Sequence, residues 1–132
     1  MIHHRTEGYP GDNTAEGTDA LFSLTGGTEN TALGADALYQ ALYNNATGIS
    51  NTAIGFDALF FNTTGINNTA TGSLALQNNT TGNNNIAIGY EAGINLTTGN
   101  NNIDIGSVGV AGRVQHDSHR QENTQRHVYR RH

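Results

Sequence analysis

The sequence predicts an all-β chain: short parallel strands stacked as a β-roll or solenoid of about six coils. Three observations carry this. A phrase, Asn-x-x-x-Gly, returns six times, and its glycines (Gly17, Gly34, Gly55, Gly72, Gly89, Gly106) are spaced by 17, 21, 17, 17 and 17 residues. Ala recurs at fixed offsets, two before that glycine in five copies and three after it in five. A second turn signal, Thr-Gly, closes the repeats at Thr25-Gly26, Thr47-Gly48, Thr64-Gly65, Thr81-Gly82 and Thr98-Gly99. A fixed period near twenty residues means that each repeat is one unit stacked on the next.

The elements follow in order. Residues 1–10 are a lead-in whose charges and Pro10 suit the capping of an exposed end. The repeats occupy residues 11–112. The first phrase is Asn13-Thr-Ala-Glu-Gly17 and the second Asn30-Thr-Ala-Leu-Gly34. After the second comes the long spacing, where Ala-Leu-Tyr recurs after four residues. That pairs Leu38 with Leu42 and Tyr39 with Tyr43 at one helical turn, so a short helical turn is expected to bulge there, with a longer strand or loop as the alternative. Asn51-Thr-Ala-Ile-Gly55, Asn68-Thr-Ala-Thr-Gly72 and Asn85-Ile-Ala-Ile-Gly89 are regular: a strand, a turn on Gly, a second segment, and another turn on Gly. The sixth, Asn102-Ile-Asp-Ile-Gly106, carries Asp104 where the others carry Ala.

Side chains alternate along a strand, so Asn and Ala share one face and the Thr/Ile and Ile/Leu positions share the other. Ala on one side implies a narrow interior. The Asn column (Asn30, Asn51, Asn68, Asn85, Asn102) is placed to form an amide ladder at rungs ~4.8 Å apart, giving a rod about 30 Å long. The opposite column, Leu33, Ile54, Ile88 and Ile105, is apolar enough to call for a second surface such as another chain.

Composition bounds the rest. The 132 residues make one domain at most, and 35% hydrophobic content argues for a thin, repeated core. There is no Cys, so no disulfide or thiolate metal site forms. No apolar run approaches ~20 residues, so no membrane-spanning helix is expected. Met-Ile-His-His-Arg does not read as a signal peptide, so the expectation is either a cytosolic chain or export signals encoded elsewhere. The net charge of −5 hides a break: residues 1–112 hold Arg5 against nine acids, and residues 113–132 hold five Arg against two acids.

Over residues 11–112 the phrases resemble the head repeats of trimeric autotransporter adhesins, which carry an Asn/Ser-x-Ala-Ile-Gly phrase, an Ala-containing segment and a Gly turn. The resemblance implies a left-handed parallel β-roll with three chains side by side. It implies a bacterial cell-surface or extracellular protein that contacts host matrix protein or cell-surface glycan, without enzymatic activity or cofactor. The 17-residue period is longer than that of the best-known heads. The extra residues fall in the Asn-x-Thr-Gly excursion, so larger outer loops are expected. The phrases, with Val108-Gly-Val-Ala-Gly112, also resemble large fibre proteins that end in a self-cleaving chaperone. A phage-like or surface fibre spacer without a ligand is therefore an alternative, and an ice- or polysaccharide-binding solenoid a further one.

Other motifs read more plainly. The sequons at Asn45, Asn62, Asn67, Asn78, Asn79 and Asn95 arise from the repeat's own turn. The Thr47, Thr64, Thr81, Thr98 column precedes a turn Gly, and turn chemistry explains it better than ice binding. Asp19, Asp36, Asp57 and Glu91, two after the glycine, read as solvated or capping carboxylates, since calcium needs six to eight converging oxygens. His116-x-x-His119 beside Asp117 reads as accidental clustering. The Arg-rich tail lacks the aromatic interleaving of a nucleic-acid surface, so no nucleic-acid partner is expected. Tyr39, Tyr43, Phe60, Phe61 and Tyr90, with Phe56, are candidates for surface contact.

Residues 113–132 have lost the repeat and all glycine. Shifted by one base, the codons for Gly112 to Arg120 permit Gly-Glu-Ser-Asn-Thr-Ile-Arg-Ile-Gly, another phrase with its glycine 14 residues after Gly106. The tail is therefore expected to be a frameshifted remnant.

Overall fold

The computed structural model describes residues 10–38 and 47–111. Six three-residue strands run in one direction: β1 (Thr14–Glu16), β2 (Thr31–Leu33), β3 (Thr52–Ile54), β4 (Thr69–Thr71), β5 (Ile86–Ile88) and β6 (Ile103–Ile105). They form one parallel sheet in chain order, and the coils between them make a β-solenoid of about five turns. The described residues contain no helix. The helical turn expected after Gly34 falls on residues 39–46, outside the described residues; Ala35–Leu38 run as a turn, as in the regular coils.

Register follows the repeat. Ala32 lies opposite Ala53, Ala53 opposite Ala70, and Ala70 opposite Ala87. The insertion that lengthens the second spacing is thus absorbed outside the sheet. Across the interior, a second wall stacks Leu59 N–H onto the Ala75 carbonyl at 3.0 Å and Leu76 N–H onto that of Ala92 at 2.9 Å. Between the walls lie Ala32, Ala53, Ala70 and Ala87 on one side and Ala58, Leu59, Ala75, Leu76, Ala92 and Leu96 on the other, all fully buried. A methyl from one wall meets a methyl or an isobutyl from the other, which is the narrow core that the Ala columns implied.

The polar half of that core is the Asn ladder. Asn68 Nδ2 donates to Asn51 Oδ1 at 3.1 Å and to the Gly82 carbonyl at 2.8 Å. Its own Oδ1 accepts from Asn85 N–H at 3.0 Å and Asn85 Nδ2 at 3.1 Å. The same pattern recurs at Asn30, Asn51 and Asn85. Burying an amide without partners costs several kcal/mol, roughly 2–7 depending on the reference state, so the ladder is what makes these Asn residues admissible inside.

Corners set the coil's shape. At Gly55 φ is 129°, and a Cβ there would lie 2.7 Å from the carbonyl carbon and oxygen of Gly72, so backbone meets bare backbone from coil to coil. Less expected is left-handed backbone at Leu21, Leu38, Leu59 and Leu76, with φ of 56°, 49°, 52° and 50°. That conformation costs a non-glycine residue roughly 1–2 kcal/mol. Burying the leucine returns roughly 1.5–3 kcal/mol, enough to offset it. Gly93 takes this corner in the next coil without strain, and Leu96, three residues on, fills the vacated space: a Cβ on Gly93 would sit 3.4 Å from Leu96 Cδ1.

Candidate interaction surface

Because Asn and Ala point inward, the alternate positions of β1–β6 point out. They form two ranks up a flat sheet. The first rank is Thr14, Thr31, Thr52, Thr69, Ile86 and Ile103; the second is Glu16, Leu33, Ile54, Thr71, Ile88 and Ile105. The aliphatic members are 37–44% exposed. All four residues expected at an interface, Leu33, Ile54, Ile88 and Ile105, thus stand in one line. Ile86 and Ile103 complete the stripe from the first rank. The face is graded: Thr dominates its N-terminal half and Ile its C-terminal half.

The flanks extend it. Ile49 and Ile66, beyond one corner, are 37% and 38% exposed. Phe56 and Tyr90, just past the glycine corner, are 51% and 68% exposed. Phe60 and Phe61 are half-buried and pack edge-to-face with centroids 4.7 Å apart, so they belong partly to the coil's own packing. Phe22, 51% exposed, is an aromatic that the repeat pattern did not single out. Tyr39 and Tyr43 lie outside the described residues.

The acids at Asp19, Asp36, Asp57 and Glu91 take left-handed backbone, with φ of 54–56°, as corner residues. Burial and then the neighbouring Asp36 carboxylate raise the Asp57 pKa above the ordinary carboxylate value, against a lowering hydrogen bond from Gln77. The Glu91 carboxylate, by hydrogen bond and charge, raises the Tyr90 hydroxyl above its usual value. Among the described residues no three His, Asp or Glu side chains converge to hold a metal. His116, Asp117 and His119 lie outside them. The Thr64, Thr81 and Thr98 column is exposed at corner bends, each beside a buried Gly, as turn chemistry requires.

Two features were missed in the sequence. Asn62 and Asn79, read from the sequence as turn residues, also form a second interior ladder, with Asn79 Nδ2 donating to Asn62 Oδ1 at 2.8 Å. At the N-terminal end a cavity of about 370 Å³ opens between Pro10, Leu21, Phe22, Leu24 and Thr28.

No helix of the described residues is long and apolar enough to cross a membrane. Compared with known proteins, the chain matches no family model, no curated protein and no solved structure. Its class therefore rests on the fold alone: a repeat protein built as a parallel β-solenoid.

Proposed function

We propose that the solenoid is a non-enzymatic, adhesin-type head or fibre segment that works as a homotrimer. The observation that carries this reading is the line of exposed aliphatics Leu33, Ile54, Ile88 and Ile105, broken by Thr71, on the outward face of the sheet. Apolar patches of this regularity mark interaction sites, and copies of one chain stacked in parallel bring each rung against its equivalent. The trimer number, left-handed coiling and bacterial surface or extracellular location come from the resemblance to adhesin heads. With the stripe covered, the remaining faces present Tyr90, Phe22 and the corner loops to a host matrix protein or cell-surface glycan.

Sedimentation at several concentrations tests the assembly. The trimer is expected at micromolar concentration, and Ile54→Asp with Ile88→Asp should release monomers. A wild-type chain that stays monomeric removes the reading. A binding screen against matrix proteins and glycans then separates an adhesin from its rival, a fibre spacer without a ligand, which the uniform register of the coils favours. Ice or polysaccharide binding would use the Thr31, Thr52, Thr69 rank instead and requires that face to be open in the assembled protein.

A further inference from the structure

We propose that Phe56 and Tyr90 are the two walls of a slot that takes one arginine side chain of a basic partner peptide, with Ser73 between them and the carboxylates of Asp57 and Glu91 beside them. This gives the binding face of the proposed head a partner of stated chemistry. It rests on that reading of the solenoid as a binding surface, and not on the trimer.

The column just past the glycine corner reads Thr18, Ala35, Phe56, Ser73, Tyr90 and Ser107. Backbone stacks its rungs: Asp57 N–H donates to the Ala35 carbonyl at 3.2 Å, Leu74 N–H to that of Phe56 at 2.8 Å and Glu91 N–H to that of Ser73 at 3.0 Å. The glycines before Phe56, Ser73 and Tyr90 share one conformation, with φ of 129°, 133° and 119°. The residues after them share another, with φ of 55°, 64° and 56°. A repeated backbone repeats its Cα–Cβ directions, so Phe56, Ser73 and Tyr90 leave the coil side by side. Each aromatic has small neighbours in the column, Ala35 and Ser73 for Phe56, Ser73 and Ser107 for Tyr90. The two aromatics are 51% and 68% exposed. Rungs lie ~4.8 Å apart, so the two aromatics stand roughly 9.6 Å apart along the rod. A flat group touching a ring on each side needs roughly 7–8 Å. A cation midway is about 5 Å from each ring, inside the ~6 Å over which an aromatic face attracts it.

Charge selects among flat groups. Residues 10–111 contain eight acids and no Lys, Arg or His. Two of those acids directly follow the two aromatics, as Phe56-Asp57 and Tyr90-Glu91, whereas the rung between them is Ser73-Leu74. Each carboxylate is held next to its ring: Gln77 Nε2 donates to Asp57 Oδ2 at 3.1 Å, and the Tyr90 hydroxyl donates to Glu91. Asp36, one coil before Asp57, adds a like charge to this edge, and its carboxylate is one of the causes that raise the Asp57 pKa. Arginine suits both features, since its guanidinium is planar, always charged, stacks on aromatic faces and pairs with carboxylates.

Calorimetric titration of the full chain with a hexa-arginine peptide at low salt is the test. Wild type should bind it and should not bind the citrulline counterpart, which keeps the flat group and loses the charge. Phe56→Leu and Tyr90→Leu should each weaken binding roughly two- to fivefold. Ser73→Phe adds an aromatic yet fills the slot, so binding should fall by about tenfold, while Ser73→Ala should bind like wild type. Urea midpoints close to that of wild type check that the variants fold. A folded Ser73→Phe chain that binds as well as wild type assigns the peptide to the acidic surface at large and overturns the slot. A wild type that binds neither peptide, or both alike, overturns it too. The titration reads the same whether or not the chain sediments as a trimer, so failure of the assembly and failure of the slot are told apart.

Discussion

Asn68→Ala tests whether the interior ladder, and not the apolar wall alone, holds the coils together. Alanine removes four hydrogen bonds: two given, to Asn51 Oδ1 and the Gly82 carbonyl, and two received, from Asn85 N–H and Nδ2. The partners are not equally hurt. The Gly82 carbonyl keeps Asn79 Nδ2, Asn51 Oδ1 keeps Asn68 N–H, and Asn85 Nδ2 keeps the Gly99 carbonyl. The Asn85 backbone N–H loses its acceptor and is left buried, at about 1–3 kcal/mol. Three lost bonds with surviving partners add roughly 0.5–1 kcal/mol each. The sum is about 2.5–6 kcal/mol, a large share of the ~5–15 kcal/mol that holds a typical domain. With a urea slope near ~2 kcal/mol/M, the midpoint should fall by roughly 2 M at fixed protein concentration. Ser73→Ala, on the surface of the same coil, should stay within about 0.5 kcal/mol. An Asn68→Ala loss no larger than that of Ser73→Ala would refute the ladder's role.

Ala53→Leu or Ala70→Leu should destabilise by at least ~1–3 kcal/mol, because both positions are fully buried in the narrow core; unchanged melting would mean that the interior is looser than it looks. Gly55→Ala should cost much more than Gly106→Ala, since its Cβ meets the Gly72 backbone at 2.7 Å whereas Gly106 has nothing within 4 Å; equal melting temperatures would contradict the backbone contact. Asp57 has a raised folded pKa, so its ionised form weakens the fold above that pKa and the penalty fades as pH falls through it. Asp57→Asn should therefore be neutral or slightly stabilising at neutral pH, with the difference vanishing below the carboxylate range in pH-dependent unfolding curves.

What was legible in the sequence is what the period encodes. The Asn-x-x-x-Gly phrase gave strands and register, and the Ala column gave the narrow interior, because stacking repeats one environment at every rung. The outward line of Leu33, Ile54, Ile88 and Ile105 followed from alternation alone. The long spacing after Gly34 did not disturb the register, since an insertion at a corner leaves the strand pairing intact. Asn62 and Asn79 were illegible because a buried ladder Asn and a turn Asn look alike until the neighbouring coil is placed. The left-handed leucines were illegible because leucine disfavours that backbone, and only burial across the core makes it worthwhile. The exchange of Gly93 with Leu96 needs three dimensions: two positions three residues apart share one volume.

The Asn ladder also has a direction. From Asn30 to Asn102 each side-chain amide donates toward the N-terminal neighbour, and from Asn30 to Asn85 each accepts from the C-terminal one. The amide dipoles therefore add head to tail through the rod, and each bond polarises the next. Such a chain behaves as a one-way wire of hydrogen bonds, with chemically unlike ends. The ladder can be prolonged from one coil to the next only head to tail, so the polarity of the rod is carried by a single side-chain amide per turn.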